Sequence, residues 1–445
     1  MSDALPLPPR PNLGQYKKLA KDLQGACKTG DIGAIRQWAA HWIETLARLK
    51  GTASSSTPRE REREAEQIER RWNKLRETSE PAARCTLAGT QFFIAREHGF
   101  KSWPKFAGHV QQLDRGNSAV SVFEAAADAI ISGNVPILQK LLAEHPGLAR
   151  ERSTREHRST LLHYVSANGV EDFRQKTPKN IVEITKLLLD AGAQVDAESD
   201  AYGGGCTTLG LVATSAHPER AGVQIDLLRT LIDRGASLHH PSAGGNNHTI
   251  VPACLHNGQP EAARFLADLG APLDLESAAA LGRLPLLRSY FEEGDRRQPA
   301  PDQKEVESAF LSACAFGSAD AVEFLLNRGI DPLTRNEDGQ TGLHLASWGP
   351  HIDVIKLLMK RGAPVDVEDD RFHATPLDMA LWTWDNTSNK GERDRCYEAI
   401  ALLVQAGAKL DPDHWCDDQE DGSGMLRKID DDPCMMAALR GDMPR

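Results

Sequence analysis

The sequence has no apolar run of 18 residues, so a membrane-spanning helix is not expected. Its first residues, Met1-Ser2-Asp3-Ala4-Leu5-Pro6, lack the basic start and apolar stretch of a secretory leader, which argues for a cytoplasmic protein. The eight cysteines, Cys27, Cys85, Cys206, Cys254, Cys314, Cys396, Cys416 and Cys434, are widely spread and contain no C-x-x-C pair. That excludes a zinc site built on one tight turn, and in a long chain without a leader it predicts buried free thiols over a disulfide framework. There is no G-x-x-x-x-G-K-[ST], G-x-S-x-G or H-E-x-x-H, and Gly203-Gly204-Gly205 does not complete G-x-G-x-x-G. Ser102-Trp103-Pro104-Lys105 fits S-x-x-K without its companion motifs. The densest histidine group, His239, His240, His248 and His256, reads as polar loop positions. No catalytic residue, cofactor or metal is expected, and the chain is read as a non-enzyme. With 52 basic and 63 acidic residues the net charge is −11, which argues against a general nucleic-acid binder.

What the sequence does have is regularly spaced glycine. Gly258 and Gly270 are twelve apart, as are Gly282 and Gly294, Gly317 and Gly329, and Pro350 and Gly362. A closing motif recurs with them: Leu188-Leu189-Asp190-Ala191-Gly192-Ala193, Leu231-Ile232-Asp233-Arg234-Gly235-Ala236, and Leu402-Leu403-Val404-Gln405-Ala406-Gly407-Ala408. The clearest unit runs from Asn336 to Gly362. Thr341 is placed to cap a first helix, Leu343 and Ala346 share a face, and Pro350 separates the helices. Ile352, Ile355 and Leu358 give the second helix an apolar stripe, and Gly362 stops it.

These residues resemble the ankyrin repeat family. Its D-x-x-G-x-T-P-L-H-x-A-A-x-x-G-H opening and I-V-x-L-L-L-x-x-G-A ending are in register at 336–368, while Thr160-Leu161-Leu162-His163 and Thr375-Pro376-Leu377-Asp378 keep the opening elsewhere. Gly342 replaces the usual proline, Pro350 replaces a glycine, and Gly210 and Asp378 stand where His163 and His344 stand in their repeats. The resemblance implies a mainly α ankyrin-repeat solenoid of β-hairpin fingers and antiparallel helix pairs. It also implies a structural, hydrogen-bonding role for His163 and His344. A unit of about 33 residues cannot bury its apolar face alone and must stack on neighbours.

The expected organisation is an extended or disordered segment at 1–12, a helical N-terminal region at 13–117 with a flexible linker near 51–57, an array of about eight repeats at 118–411, and an acidic loop with a C-terminal half-repeat cap at 412–445. Residues 1–117 hold 20 basic and 13 acidic residues. The Arg/Glu run at 58–77 is read as a solvated helix face, and Phe100, Trp103 and Phe106 as the corner docking a helical cap on the first repeat. The similarity of this region to segments of bacterial ankyrin-repeat proteins implies no activity.

In the family, the residue seven after the Thr slot faces the concave groove. That position holds His256, Ala280, Ala315, Trp348 and Trp382, with Phe316 one further on. Exposed neighbouring tryptophans would form an interaction hot spot, flanked by the finger residues Asn336, Glu337, Asp338, Arg371 and Phe372. The function expected is therefore protein–protein interaction, as a scaffold or regulator, by a monomer with a protein partner and neither nucleic acid nor membrane. The alternative is a DNA-binding regulator or enzyme whose activity resides in 1–117. Three insertions between first and second helices, near 171–176, within the 207–235 repeat and near 385–391, are expected to project as loops.

Overall fold

The computed structural model describes residues 5, 7, 11–31, 33–50, 58–77, 85–240, 249–292, 300–411 and 424–443. The expected linker at 51–57, most of the acidic loop near 417–424, and His248 lie outside the described residues. Described residues are mainly helix and turn, as a repeat solenoid of helix pairs requires. Contacts divide the chain into two compact units, 1–272 and 273–445.

The first unit opens with helices Leu13–Thr29, Ala34–Lys50, Pro58–Glu77, Leu87–Glu97 and Trp103–Asp114. Tyr16, Ala20, Leu23 and Cys27 recur every three or four residues and are buried together with Trp38, Trp42, Ile68, Trp72, Phe93, Phe100 and Phe106. The Arg/Glu run is thus only partly a solvated face. Ile68 and Trp72 are fully buried, and Arg71 makes a forked contact with Glu97 at 2.7 and 3.1 Å. Phe100 and Phe106 belong to the core of this bundle, and Trp103 packs against it. At the N-terminus, Leu5 is buried and its carbonyl sits 2.8 Å from Nδ1 of the buried His98. This position of the 1–12 segment is therefore held, because its side chain completes the bundle core.

Cys27 and Cys85 form a disulfide, against the expectation of free thiols throughout. The helices that end and begin near them pack side by side, which brings the two Cα atoms to 5.7 Å. A sequence separation of 58 residues conceals that proximity. Cys206, Cys254, Cys314 and Cys396 are free and buried, whereas Cys434 is free and exposed.

Helix pairs follow: Ala119–Ile131 with Val135–Glu144, the 3₁₀ turn Leu161–Ser166 with Ile181–Asp190, Thr208–Ala213 with Gln224–Asp233, and Ile250–His256 with Pro260–Asp268. Between pairs the chain makes hairpin fingers. One carries the ladder in which Glu198–Ser199 pairs antiparallel with Cys206–Thr207, and another is pinned by the Arg152–Thr160 bridge. The second unit continues with Leu275–Ala280 and Leu284–Ser289, Gln303–Ala315 and Ala319–Leu326, Gly342–Trp348 and Ile352–Lys360, Pro376–Asn386 and Lys390–Gln405, and the short pair Met425–Asp430 and Pro433–Ala438. The sequence pattern anticipates only the last of those two short helices.

Six of the second helices close in one way. Gly192, Gly235, Gly270, Gly329, Gly362 and Gly407 have φ between 86° and 104°. The following N–H reaches the carbonyl five residues back, as from Ala363 to Leu358 at 3.0 Å. An L side chain there would be strained, so the glycine spacing records a backbone requirement.

The three insertions do not simply project. Val170 and Glu171 are fully buried and Arg174 nearly so. The second forms a short helix, Ala216–Arg220. The third lengthens both neighbours, to Asn386 and from Lys390, leaving Asn386 and residues 388–391 exposed. Backbone that leaves a packed stack gains by pairing its own hydrogen bonds or by returning to cover apolar surface.

Candidate partner-binding surface

In the second unit, the first helices Gly342–Trp348 and Pro376–Asn386 are each positioned by a threonine cap. At Thr341 the backbone N–H donates to Nδ1 of His344 at 3.0 Å, with the Thr hydroxyl at 2.8 Å. The opposite nitrogen, Nε2, lies 3.1 Å from the carbonyl of Ala374 in the next finger. With Nδ1 accepting, Nε2 carries the proton and donates across repeats. Burial lowers the His344 pKa and keeps the ring neutral for this role. In the following repeat Asp378 replaces the imidazole: its carboxylate accepts from the Thr375 N–H at 2.8 Å and from the hydroxyl at 2.7 Å.

These caps place Trp348 and Trp382 at equivalent positions on adjacent first helices. Their rings meet edge to face at 5.7 Å between centroids, and each is 47% exposed. The helices are tied beneath them by the Thr383 hydroxyl, which donates to the Trp348 carbonyl at 2.8 Å. Trp384, two residues on, turns to the opposite face, is buried, and donates its indole N–H to the Tyr397 hydroxyl at 3.2 Å. Phe316, just past the helix Gln303–Ala315, is half-buried. Ala280, expected to line the groove, is fully buried instead, because a methyl group at that short helix packs into the core. His256 is exposed but belongs to the first unit.

The finger residues form a second cluster. Asp338 accepts from Arg371 at 3.2 Å, and the Arg371 guanidinium lies 5.0 Å from the ring centre of Phe372, which is 57% exposed. Glu337 is exposed. Asn336 is committed to its own turn, accepting from Asp338 and Gln340 N–H groups at 3.1 and 2.8 Å. Asp369, which sequence reasoning missed, organises the next finger by accepting from Phe372 N–H at 2.7 Å and Arg371 N–H at 3.2 Å. Burial alone would raise its pKa, but donors including Phe372 and Gln340 outweigh it and hold the carboxylate below its ordinary range.

The first unit contains a buried charge cluster that the sequence reading also missed. Arg155 and Arg174 interleave with Glu124 and Glu171. Arg174 donates to Glu124 at 2.7 Å and to Asp128 at 2.7 Å. Arg155 donates to Glu124 at 3.2 Å, to the His98 carbonyl at 2.9 Å, and sits against Glu171. Tyr164 donates to Glu171 at 3.3 Å. Burial would raise both glutamates, but the two guanidiniums prevail: Glu124 is lowered and Glu171 well below its usual value. The buried His109 is pushed down to about 4 by desolvation. Two arginines against two glutamates balance, so the cluster is a structural tie between the N-terminal bundle, the first finger and the first insertion. A sequence signal was present: Glu124 and Asp128 lie one turn apart on the otherwise apolar helix Ala119–Ile131 and demand buried cations. Among the described residues no group of three His, Cys, Asp or Glu side chains is arranged to hold a metal ion.

A family model described as ankyrin repeats, in three copies, matches residues 275–369 and 310–414. The ankyrin repeat and KH domain-containing protein mask-1 of Caenorhabditis elegans is 28% identical over 197 residues, 44% of this chain and 6% of that protein. An ankyrin repeat-containing protein of Treponema pallidum (strain Nichols) is 30% identical over 145 residues, 33% of this chain and 40% of that protein. The chain thus spans well under two thirds of either relative. Among solved structures, the ankyrin repeat domain of Bcl-3 is 19% identical and aligns with 57% of this chain and 92% of its own, at a TM-score of 0.28. By its Thr-capped first helices, its glycine-closed second helices and the family match, the chain carries ankyrin repeats over residues 275–414.

Proposed function

We propose that this protein is a non-catalytic, monomeric interaction scaffold or regulator of the cytoplasm, and that its second unit grips a protein segment across the groove carrying Trp348 and Trp382. The observation that carries this reading is the exposed, touching tryptophan pair. A monomer leaves two large rings half in water at an energetic cost unless a partner covers them, and paired aromatics are typical anchors of interfaces. Glu337, Asp338, Arg371 and Phe372 form the adjoining rim, with Phe316 as a further contact.

Charge supplies the partner's chemistry. Residues 273–445 hold 19 basic and 33 acidic residues. A segment rich in Lys or Arg fits such a surface, since a cation can sit on an indole face while its neighbours meet carboxylates. The role of 13–117 in this reading is a helical cap, with no nucleic-acid or membrane partner.

The test is selection of peptides from a random library on the full chain, followed by titration of the winners against wild type and the Trp348→Ala/Trp382→Ala variant. Basic peptides that bind at least about tenfold more weakly to the variant support the reading. Unchanged affinity for every selected peptide refutes it.

A further inference from the structure

The first unit contains a cleft rich in basic side chains. One face of the helix Trp103–Asp114 and the finger at 152–158 line a cleft of about 510 Å³. Four exposed cations line it: Lys101, Lys105, Arg152 and Arg158. None of the four makes an ion pair among the described residues. Arg152 comes nearest to a partner, but it donates only to neutral carbonyls, those of Arg158 at 2.9 Å and Glu198 at 2.6 Å. The cleft's two carboxylates are Glu156, which faces Arg96 at 3.6 Å, and Asp200. In a chain of net charge −11, four cations left without carboxylate partners around one cavity are unexpected.

The cavity is built as well as charged. Its floor includes Arg155 and His109, both almost wholly buried. Arg155 is fixed by Glu124, Glu171 and the His98 carbonyl, and His109 is fixed by a 2.7 Å contact between Nδ1 and the Thr154 hydroxyl. A floor held by buried bonds does not collapse when the cavity is empty. Gly108 also lines the cleft, and a Cβ there would meet nothing within 4 Å, so the helix leaves open space toward the cavity.

We infer that this cleft binds a small phosphorylated compound, with Lys101, Lys105, Arg152 and Arg158 surrounding its phosphates. The volume falls within the range of small-molecule pockets and suits a ligand up to nucleotide size. Ammonium and guanidinium groups are the natural partners of phosphoryl oxygens, and bringing the anion in relieves the repulsion among the four cations. Arg158 and Arg152 flank the tip of the finger, so the ligand would bridge it to the helix Trp103–Asp114.

The test is calorimetric titration of the full chain with inorganic pyrophosphate and with ATP, at low and at physiological salt. Two variants accompany wild type: Lys101→Ala/Lys105→Ala, which removes charge, and Gly108→Phe, which fills the cleft and keeps every cation. A thermal melt confirms that each variant is folded. Binding by wild type that weakens with salt, and by about tenfold or more in both variants, is the expected result. No binding of either probe at millimolar concentration overturns the proposal. So does binding that survives Gly108→Phe, which would mark a diffuse basic surface, or a preference for duplex DNA that Gly108→Phe leaves intact.

Discussion

Replacing Arg174 by methionine removes the cation that joins the first insertion to the helix Ala119–Ile131, while keeping similar bulk. In wild type this guanidinium holds Glu124 at 2.7 Å and Asp128 at 2.7 Å. Asp128 is largely exposed and can return to water, so its loss counts for little. Glu124 is buried and keeps only Arg155, at 3.2 Å, against two nearby carboxylates in all. Breaking a buried pair by removing one partner costs about 3–5 kcal/mol. Because Arg155 remains, about 3 kcal/mol is expected, a factor of roughly 100 in local opening. Hydrogen exchange read by mass spectrometry should show this loss of protection in peptides from Ala119–Ile131 and Ile181–Asp190, with Ile352–Lys360 as an internal control. The double variant Arg174→Met/Glu124→Gln leaves one arginine facing one glutamate and should recover at least about 1 kcal/mol through coupling of the two sites. A single variant losing less than about fivefold in protection, or a double variant no better than the single, would falsify the view that charge balance holds this region together.

Stability should fall on mild acidification. His109 and His163 are pushed down to about 4 in the fold, and an unfolded histidine titrates near 6.5. The unfolded chain therefore takes up protons first, and stability is lost as pH falls from about 6.5 toward 4, by up to roughly 3 kcal/mol for each group. Glu124 and Glu171, held low, add their loss only below about 4.3. Urea unfolding at pH 7 and pH 5 checks this, and a flat profile between them contradicts it. Gly342→Ala should destabilise the second unit by about 1–3 kcal/mol, since the new methyl would sit 2.8 Å from the Cys314 sulfur and 3.2 Å from the Phe310 ring. Cys314→Ala in the same chain should restore part of the loss, and a neutral single variant refutes the packing argument. Thiol titration of the denatured protein should find two more thiols after reduction than before; equal counts would mean that Cys27 and Cys85 are not joined.

Much of the repeat architecture was legible because its signals are local. A glycine at φ near 90° is required wherever a second helix closes on itself, and a threonine three residues before His or Asp caps a first helix through side chains one turn away. Both demands are written within a few residues and recur along the chain. Trp348 and Trp382 were placed as neighbours by the same logic: equal positions in adjacent repeats. The departure at Gly342, in contrast, has a cause from another repeat. Phe310 and Cys314 occupy the space a side chain would need.

The sequence by itself determined the repeating unit, its helix ends and its charge division, since those follow from backbone conformation and composition. Only the tertiary structure decided what crosses between repeats. It turned the insertion at 171–174 inward because Glu124 needed a buried cation, and it joined Cys27 to Cys85 because two helices pack side by side. It left Lys101, Lys105, Arg152 and Arg158 around one cavity without carboxylate partners. Such pairings depend on distances between residues far apart in the chain, and no local pattern encodes them.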